Sequence, residues 1–443
     1  MLKAGFISLG CAKNLVDSEI MLGMLSAAGI DITDDPATAD VLIINTCSFI
    51  DSAKDESIAT ILQMAEYKKQ GNCRGVIVAG CLSQRYQQEL LDELPEIDAV
   101  VGTGAWHRIT EAVETVLAGR RALFIGANDT LYDETMPRIK TTPVYSSYVK
   151  IADGCSNRCS YCVIPDIRGS FRSRNMESVV KEVEMLAAQG VKEINLIAQD
   201  TTSYGRDLYG TPQLAALLRR LVPIEGIVWI RLLYCYPNFF TDELIQLIAS
   251  EPKICNYIDL PLQHAHDDIL KAMHRKDSRA DIEKLLGKIR AAIPDVAIRT
   301  SFIVGFPGER EEHFAALQEF AASQKFDHVG VFTYSREDGT PAAALPDQIT
   351  DEVKQERFHS LMALQAGISE ERNTEHEGRV LDLLIEGTSD SDQGEILLGR
   401  SYREAPDVDG RVFVENAGDV PSGSFLTVKI IQGFTYDLLA EKV

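Results

Sequence analysis

The sequence predicts an α/β protein of three units: an N-terminal open parallel sheet, a central incomplete (β/α)6 barrel and a small antiparallel β-barrel at the C-terminus. Three observations carry that expectation. Short apolar runs alternate with helical periodicity up to residue 118. The same alternation repeats about six times between residues 144 and 372, and such alternation builds parallel sheets covered by helices. From residue 373 the apolar period falls to two, broken by Gly, Asp, Ser and Pro, as in a compact barrel of short strands.

In the N-terminal unit, strands are expected over 4–8, 41–45, 75–79 and 99–101, with helices over about 15–28, 51–70, 83–94 and 106–117. Gly29 and Gly71 stand where helix ends favour a positive φ. Cys11, Cys47 and Cys81 each fall just past the end of a different strand, in SLGCAKN, NTCSFID and VAGCLSQ. Parallel sheets bind ligands along that edge, so three thiols remote in sequence are expected to converge. A single such cysteine reads as a small buried hydrophobe; three at equivalent positions read as ligands of a three-thiol cluster. Cys73 precedes its strand and is set aside. No strand runs into a GxGxxG turn, which argues against a dinucleotide at the same edge. The charged, turn-rich stretch 119–143 is expected to be a linker.

In the central unit, strands are expected over 148–151, 193–198, 228–233, 257–260, 297–304 and 328–333. The first runs into GCSNRCSYC, which places Cys155, Cys159 and Cys162 on one loop. A four-iron cluster normally takes four thiolates, so three leave one iron open to a non-protein ligand. Zinc is the competing reading, but it wants four ligands, and no CxxC or HxxxH partner lies nearby. The other strand ends carry Gln199-Asp200, Gln263-His264 and GFPGE over 305–309, outlining a pocket mouth at the face where barrel enzymes work. His264, His266 and His274 read as rim or surface residues, Cys235 as packing, and Cys255 as preceding its strand. A long helix over 350–375 closes the unit.

Nothing in the 443 residues approaches the roughly 20 uncharged apolar residues that span a bilayer, so a cytoplasmic protein with no membrane partner is expected. Nine cysteines without a disulfide-like array fit a reducing compartment. The net charge of −22 argues against a nucleic-acid substrate, because phosphate-binding proteins present basic surfaces. Residues 373–443 alone hold six Lys or Arg against fourteen Asp or Glu. A basic macromolecular partner suits that balance, with Asp390, Asp392, Asp407 and Asp409 as candidates for steering it.

The C-x3-C-x-Tyr-C loop, with Tyr161 before its last thiol, resembles that of the radical S-adenosylmethionine (SAM) enzymes. In that family the open iron chelates SAM, and an electron from the cluster splits it to a deoxyadenosyl radical. Over the whole chain, the order of units resembles the methylthiotransferases: a cluster-binding N-terminal domain (1–118), a linker (119–143), a radical SAM barrel (144–372) and a TRAM barrel (373–443). SLGCAKNLVDSE, NTCSFIDSAKDES, AGCLSQRY, LPLQHAHDDILKAMHRK and IVGFPGE resemble the branch that modifies a ribosomal protein. The tRNA-modifying branch usually opens with GCQMN, where this chain has GCAKN, and carries a more basic tail. Cys235 departs from the apolar residue more usual in the branch.

The resemblance implies transfer of a methylthio group to the β-carbon of an aspartate in the S-twelve protein of the small ribosomal subunit. It also implies two 4Fe-4S clusters, SAM as cofactor and an electron donor protein as partner. Cys155, Cys159 and Cys162 would hold one cluster, and Cys11, Cys47 and Cys81 the other. Tyr161, Gln199, Gln263, Gly305 and Pro307 would line the SAM pocket. Methylthiolation of tRNA adenosine and a non-catalytic iron-sulfur carrier are the alternatives.

Overall fold

The computed structural model describes residues 2–391, 394–416 and 418–443. The N-terminal sheet is six-stranded and wholly parallel. Its strands are β1 (Lys3–Ser8), β2 (Asp31–Thr33), β3 (Val41–Thr46), β4 (Gly75–Gly80), β5 (Ala99–Gly102) and β6 (Ala122–Phe124), in the order β2-β1-β3-β4-β5-β6. Every residue of β3 and β4 is buried, as central parallel strands must be when helices cover both faces. Alternate residues serve the two faces. Ile43, Ile77 and Val101 pack with α1 (Ala12–Ala27) and α5 (Ile109–Leu117), whereas Leu42, Ile44 and Val78 pack with α2 (Asp51–Ala65) and α4 (Cys81–Glu93).

Sequence periodicity missed the two edge strands, β2 and β6, which are only three residues long. The sheet therefore runs to residue 124, inside the stretch expected as a linker. The helix expected over 51–70 is broken into α2 and α3 (Tyr67–Gln70). Gly29 has φ +79, but Gly71 is extended at φ −127. What Gly71 supplies is room, since a Cβ there would lie 3.0 Å from the Tyr67 carbonyl oxygen.

The central sheet is also six-stranded and parallel. It comprises β7 (Ser146–Lys150), β10 (Glu193–Ile197), β11 (Trp229–Leu232), β12 (Ile254–Asp259), β13 (Ala297–Val304) and β14 (His328–Thr333), with β7 and β14 at its open edges. A short antiparallel pair, β8 (Ala152–Asp153) with β9 (Arg172–Ser173), follows β7. Val149, Ile194, Leu196, Ile230, Ile258 and Ile298 face the covering helices in one large core. The intervening residues, among them Lys150, Glu193, Arg231, Tyr257 and Arg299, face inward, and their charges are paired.

The third unit is a closed barrel, β15 (Val380–Ser391), β16 (Gly394–Arg400), β17 (Val412–Glu415), β19 (Leu438–Lys442) and β18 (Phe425–Gly433) in spatial order. Four pairings are antiparallel; β17 with β19, which closes the ring, is parallel. The link from β16 to β17 seats against inward-facing residues of the central strands. Arg231 donates to the Tyr402 carbonyl oxygen at 2.6 Å, Tyr257 donates to Asp409 at 2.6 Å and Tyr148 to Asp407 at 3.0 Å. Arg400 pairs with Glu193 at 2.7 Å, and Arg403 with Asp327 at 2.9 Å.

One of the proposed steering carboxylates is thereby accounted for. Asp409 is a buried anchor that also faces Arg299 at 3.3 Å and does not stand free for a partner, whereas Asp407 accepts from Tyr148 and is still exposed. Asp392 and the side chain of Asp390 lie outside the described residues.

Burial opposes ionisation of Glu193, but Arg400 and Arg231 outweigh it and hold its pKa down to about 2. A depressed carboxylate pKa contributes stability that is complete above the unfolded value of about 4.3 and lost as pH falls through the folded one. Glu193→Gln is expected to cost about 3 kcal/mol at neutral pH, because it leaves buried guanidinium charge uncompensated. Urea titrations at stepped pH should show the deficit shrinking between about pH 4.3 and pH 2 as wild type is protonated; a deficit constant with pH would contradict this.

Candidate functional site

The β8–β9 pair ties together the two ends of residues 154–171, so the cysteine loop leaves the barrel mouth as a braced excursion. Gly154 has φ +77, and a Cβ there would come within 2.2 Å of the Ser170 carbonyl oxygen, so glycine is required. The Cys155 amide donates to the Gly169 carbonyl at 3.0 Å and the Cys162 amide to the Cys159 carbonyl at 3.1 Å. Ser160 bonds the carbonyls of Ala272 and Met273. All three thiols are free and half-buried. Burial pushes Cys155 up to about 11, and Cys162 higher still, with charge on Cys159 adding to each. Thiols so placed ionise only when a cationic centre shares the charge, as in metal ligation.

Cys11 immediately precedes α1, Cys47 follows β3 and Cys81 opens α4. Because β1 pairs with β3 and β3 with β4, the three stand side by side at the C-terminal edge of the sheet. A Cβ on Gly10 would lie only 3.2 Å from the Cys47 Sγ. Burial raises Cys47, aided by Cys11, and lifts Cys81 to about 12 against the pull of Arg168. Cys11 opens into the gap between units; the surrounding protein opposes its ionisation, but Lys13 and Arg168 prevail and its pKa is lowered.

Arg168 joins the two cysteine sets. It lies six residues beyond Cys162, at the end of α6 (Ile164–Arg168), and is fully buried. Its guanidinium pairs with Asp17 of α1 at 2.8 Å and with Asp153 at 3.2 Å, and donates to Asn14 at 3.3 Å and to the Cys81 Sγ at 3.7 Å. Lys150 pairs with the same two carboxylates. Burial would raise Asp153, but Lys150 and Arg168 hold it far below the usual carboxylate range. Cys81 packs on Val163 and Ile167, which follow Cys162 by one and five positions. Lys13 sits 3.0 Å over the ring of Tyr234, past the end of β11. The N-terminal thiols thus face the mouth of the barrel.

At the other edge of the central sheet, Glu337 beyond β14 is buried and receives Lys54 at 3.0 Å and Arg85 at 2.6 Å. The Asp51 amide donates to the Ser335 hydroxyl at 3.2 Å. With α1 against β7 and α2 against the end of β14, the N-terminal unit bridges the open side of the barrel.

The five residues expected to bind SAM are distributed round the mouth. Tyr161 packs with Met273, Phe306 and Tyr334, and Phe306 stands between Gly305 and a buried Pro307. Gln199 donates to Asp153 at 2.9 Å, and its amide oxygen is buried without a partner among the described residues. Gln263 holds φ +74 while its backbone bridges to β13. Gly305 has φ +73 and donates its amide to Glu309.

His264 is a correction: it is buried, 3.5 Å from Glu309, and no part of a rim. His266, Asp268 and His313 bring ligand atoms within 4.8 Å of one another. Both Nδ1 atoms there accept backbone amides, so the neutral rings carry the proton on Nε2 and have no lone pair left for a metal. Cys73, Cys235 and Cys255 are buried in the cores.

Asp17, Asp153 and Arg168 escaped sequence reasoning, since nothing in DSE, ADG or IRG marks a buried network. The one available signal was the closeness of Asp153 and Arg168 to the cysteine loop.

A parallel (β/α)6 sheet whose first strand runs into this three-thiol loop defines the chain as a radical SAM enzyme, a class that uses SAM and a 4Fe-4S cluster. Residues 149–321 match the Radical SAM superfamily, residues 378–443 the TRAM domain and residues 3–102 the uncharacterized protein family UPF0004. The structure is similar to the cobalamin-bound radical SAM methyltransferase TsrM from Kitasatospora setae, with a TM-score of 0.57, 16% identity and 77% of each chain covered, which is a likeness of fold. In sequence it is 52% identical to the ribosomal protein uS12 methylthiotransferase RimO of Desulforamulus reducens, over 99% of this chain and 98% of that one. It is also 52% identical to the RimO of Pelotomaculum thermopropionicum, over 100% and 99%. The chain belongs to the RimO family of methylthiotransferases.

Proposed function

We propose that this enzyme adds a methylthio group to the β-carbon of an aspartate in ribosomal protein uS12, with Cys155, Cys159 and Cys162 holding one 4Fe-4S cluster and Cys11, Cys47 and Cys81 a second. The observation that carries the proposal is the meeting of the two cysteine sets at Arg168, because the radical and the sulfur must reach the same carbon. When bound, the two clusters and SAM would supply the radical that breaks an unactivated carbon-hydrogen bond and the methylated sulfur that replaces the hydrogen. The protein positions and encloses. Lys150, Asp17, Asp153 and Arg168 hold the two loops in register, and Gln199, anchored on Asp153, presents an unpaired amide atom for SAM. The N-terminal unit covers the open side and the β16–β17 link covers the far end, keeping water from a reactive radical.

Charge selects between substrates. A net charge of −22 favours a basic ribosomal protein and opposes tRNA. Enclosure of the barrel favours catalysis over a carrier of clusters. No described helix is long and apolar enough to cross a membrane; we place the enzyme in the cytoplasm with the ribosome and with an electron donor protein. Mass spectrometry of ribosomal proteins and tRNA from cells with and without the gene is the test. One methylthio group on uS12, present only with the gene, is expected; the same change on tRNA alone would overturn the proposal.

A further inference from the structure

Lys13 follows Cys11 by two positions, and its side chain crosses from the N-terminal unit to the mouth of the barrel. The ammonium sits 3.0 Å from the centroid of the Tyr234 ring, just past the end of β11. On one side of β11 runs β10, which leads on to Gln199 of the expected SAM pocket; on the other runs β12, which ends at Asp259. The ammonium thus stands between a thiol of the N-terminal set and the strand ends where SAM is expected.

A cation in this place is poorly answered. Lys13 is only 7% exposed, and no carboxylate oxygen lies within salt-bridge distance of it among the described residues. Asp17, one turn along α1, is taken by Lys150 and Arg168, and Asp259 is taken by Arg299 at 3.2 Å. Its position in the first turn of α1 adds to the cost, because the helix dipole there opposes positive charge. The face of Tyr234 attracts the ammonium without cancelling its charge. That platform is fixed: Tyr234 holds φ +60, a strained value for a bulky residue, while its amide donates to Asp259 at 2.8 Å and its carbonyl accepts from the Thr201 amide at 3.0 Å. Buried lysines are as a rule paired, so the seam holds one positive charge in want of an anion.

We propose that the Lys13 ammonium binds the carboxylate of the substrate aspartate, an assignment that rests on the function proposed above. In an aspartate the carboxylate is one bond from the β-carbon, so holding the one places the other in the gap that the sulfur and the radical must both reach, and placement to within an ångström decides rates in such steps. The substrate supplies the negative charge that the seam lacks. Asparagine cannot, which makes Lys13 a specificity-determining residue.

The test uses reconstituted full-length enzyme and two fluorescent synthetic peptides spanning the uS12 target, one with the aspartate and one with asparagine in its place. Wild type is expected to bind the aspartate peptide about tenfold more tightly, the size of a hydrogen bond between charged groups. Lys13→Met keeps an unbranched side chain against Tyr234 and removes the charge; it should bind both peptides equally and retain the iron and sulfide of wild type. Lys13→Arg should recover part of the preference. Full preference in Lys13→Met, or none in wild type, would overturn the assignment. So would loss of about half the iron from Lys13→Met, which would show that the ammonium serves the cysteine set beside it. A wild-type enzyme that binds neither peptide and instead modifies tRNA would overturn the functional proposal itself.

Discussion

Enzyme with alanine at Cys155, Cys159 and Cys162 together is expected to lose reductive cleavage of SAM altogether. It should keep about half of its iron, because a second cluster would remain on Cys11, Cys47 and Cys81. The three thiols are half-buried on a loop whose course is set by Gly154, the β8–β9 pair and the bonds of Ser160, none of which the substitutions touch. The fold should therefore survive, and the loss be chemical. Iron and sulfide analysis after anaerobic reconstitution, with chromatography of 5′-deoxyadenosine, reads both halves of the result. A variant that still cleaves SAM would remove this loop from the reaction.

Arg168→Gln is expected to have the second-largest effect, by a different route. The substitution leaves Asp17 and Asp153 sharing only Lys150 in a buried site, and removing one partner of a buried ion pair costs about 3–5 kcal/mol. The cost falls on the seam between the N-terminal unit and the cysteine loop. Misplacement by an ångström is worth about a hundredfold in rate, so methylthio transfer should fall at least that far while SAM is still cleaved. Asp17→Asn should act on the same seam, and the double variant should be no worse than the more severe single one. Full additivity would show that the two residues work independently.

Much of the fold was legible because its signals are local. Fully buried β3 and β4 appear as VLIINT and GVIVAG, and the period-two stretches after residue 373 give the C-terminal strands. Three-residue edge strands such as β2 and β6 are too short to carry a period, and their pairing partners lie elsewhere in the chain. Of the six expected cysteine ligands, the three on the loop could be grouped by spacing alone. The other three could be grouped only by assuming a parallel sheet, whose neighbouring strands β1, β3 and β4 do place them along one edge.

The sequence by itself determined the three units, the two cysteine sets and the acidic balance, because composition and spacing along a chain are local quantities. Tertiary structure decided what those groups face. Asp409 reads as a solvated loop charge until Tyr257 and Arg299 meet it, and His264 reads as a rim residue until the core closes over it. Arg168, in an unremarkable IRG, becomes the link between the two cysteine sets only when Asp17, 151 positions earlier, arrives beside it. A buried ion pair is a property of two segments and the low-dielectric space between them, and neither segment alone carries its signature.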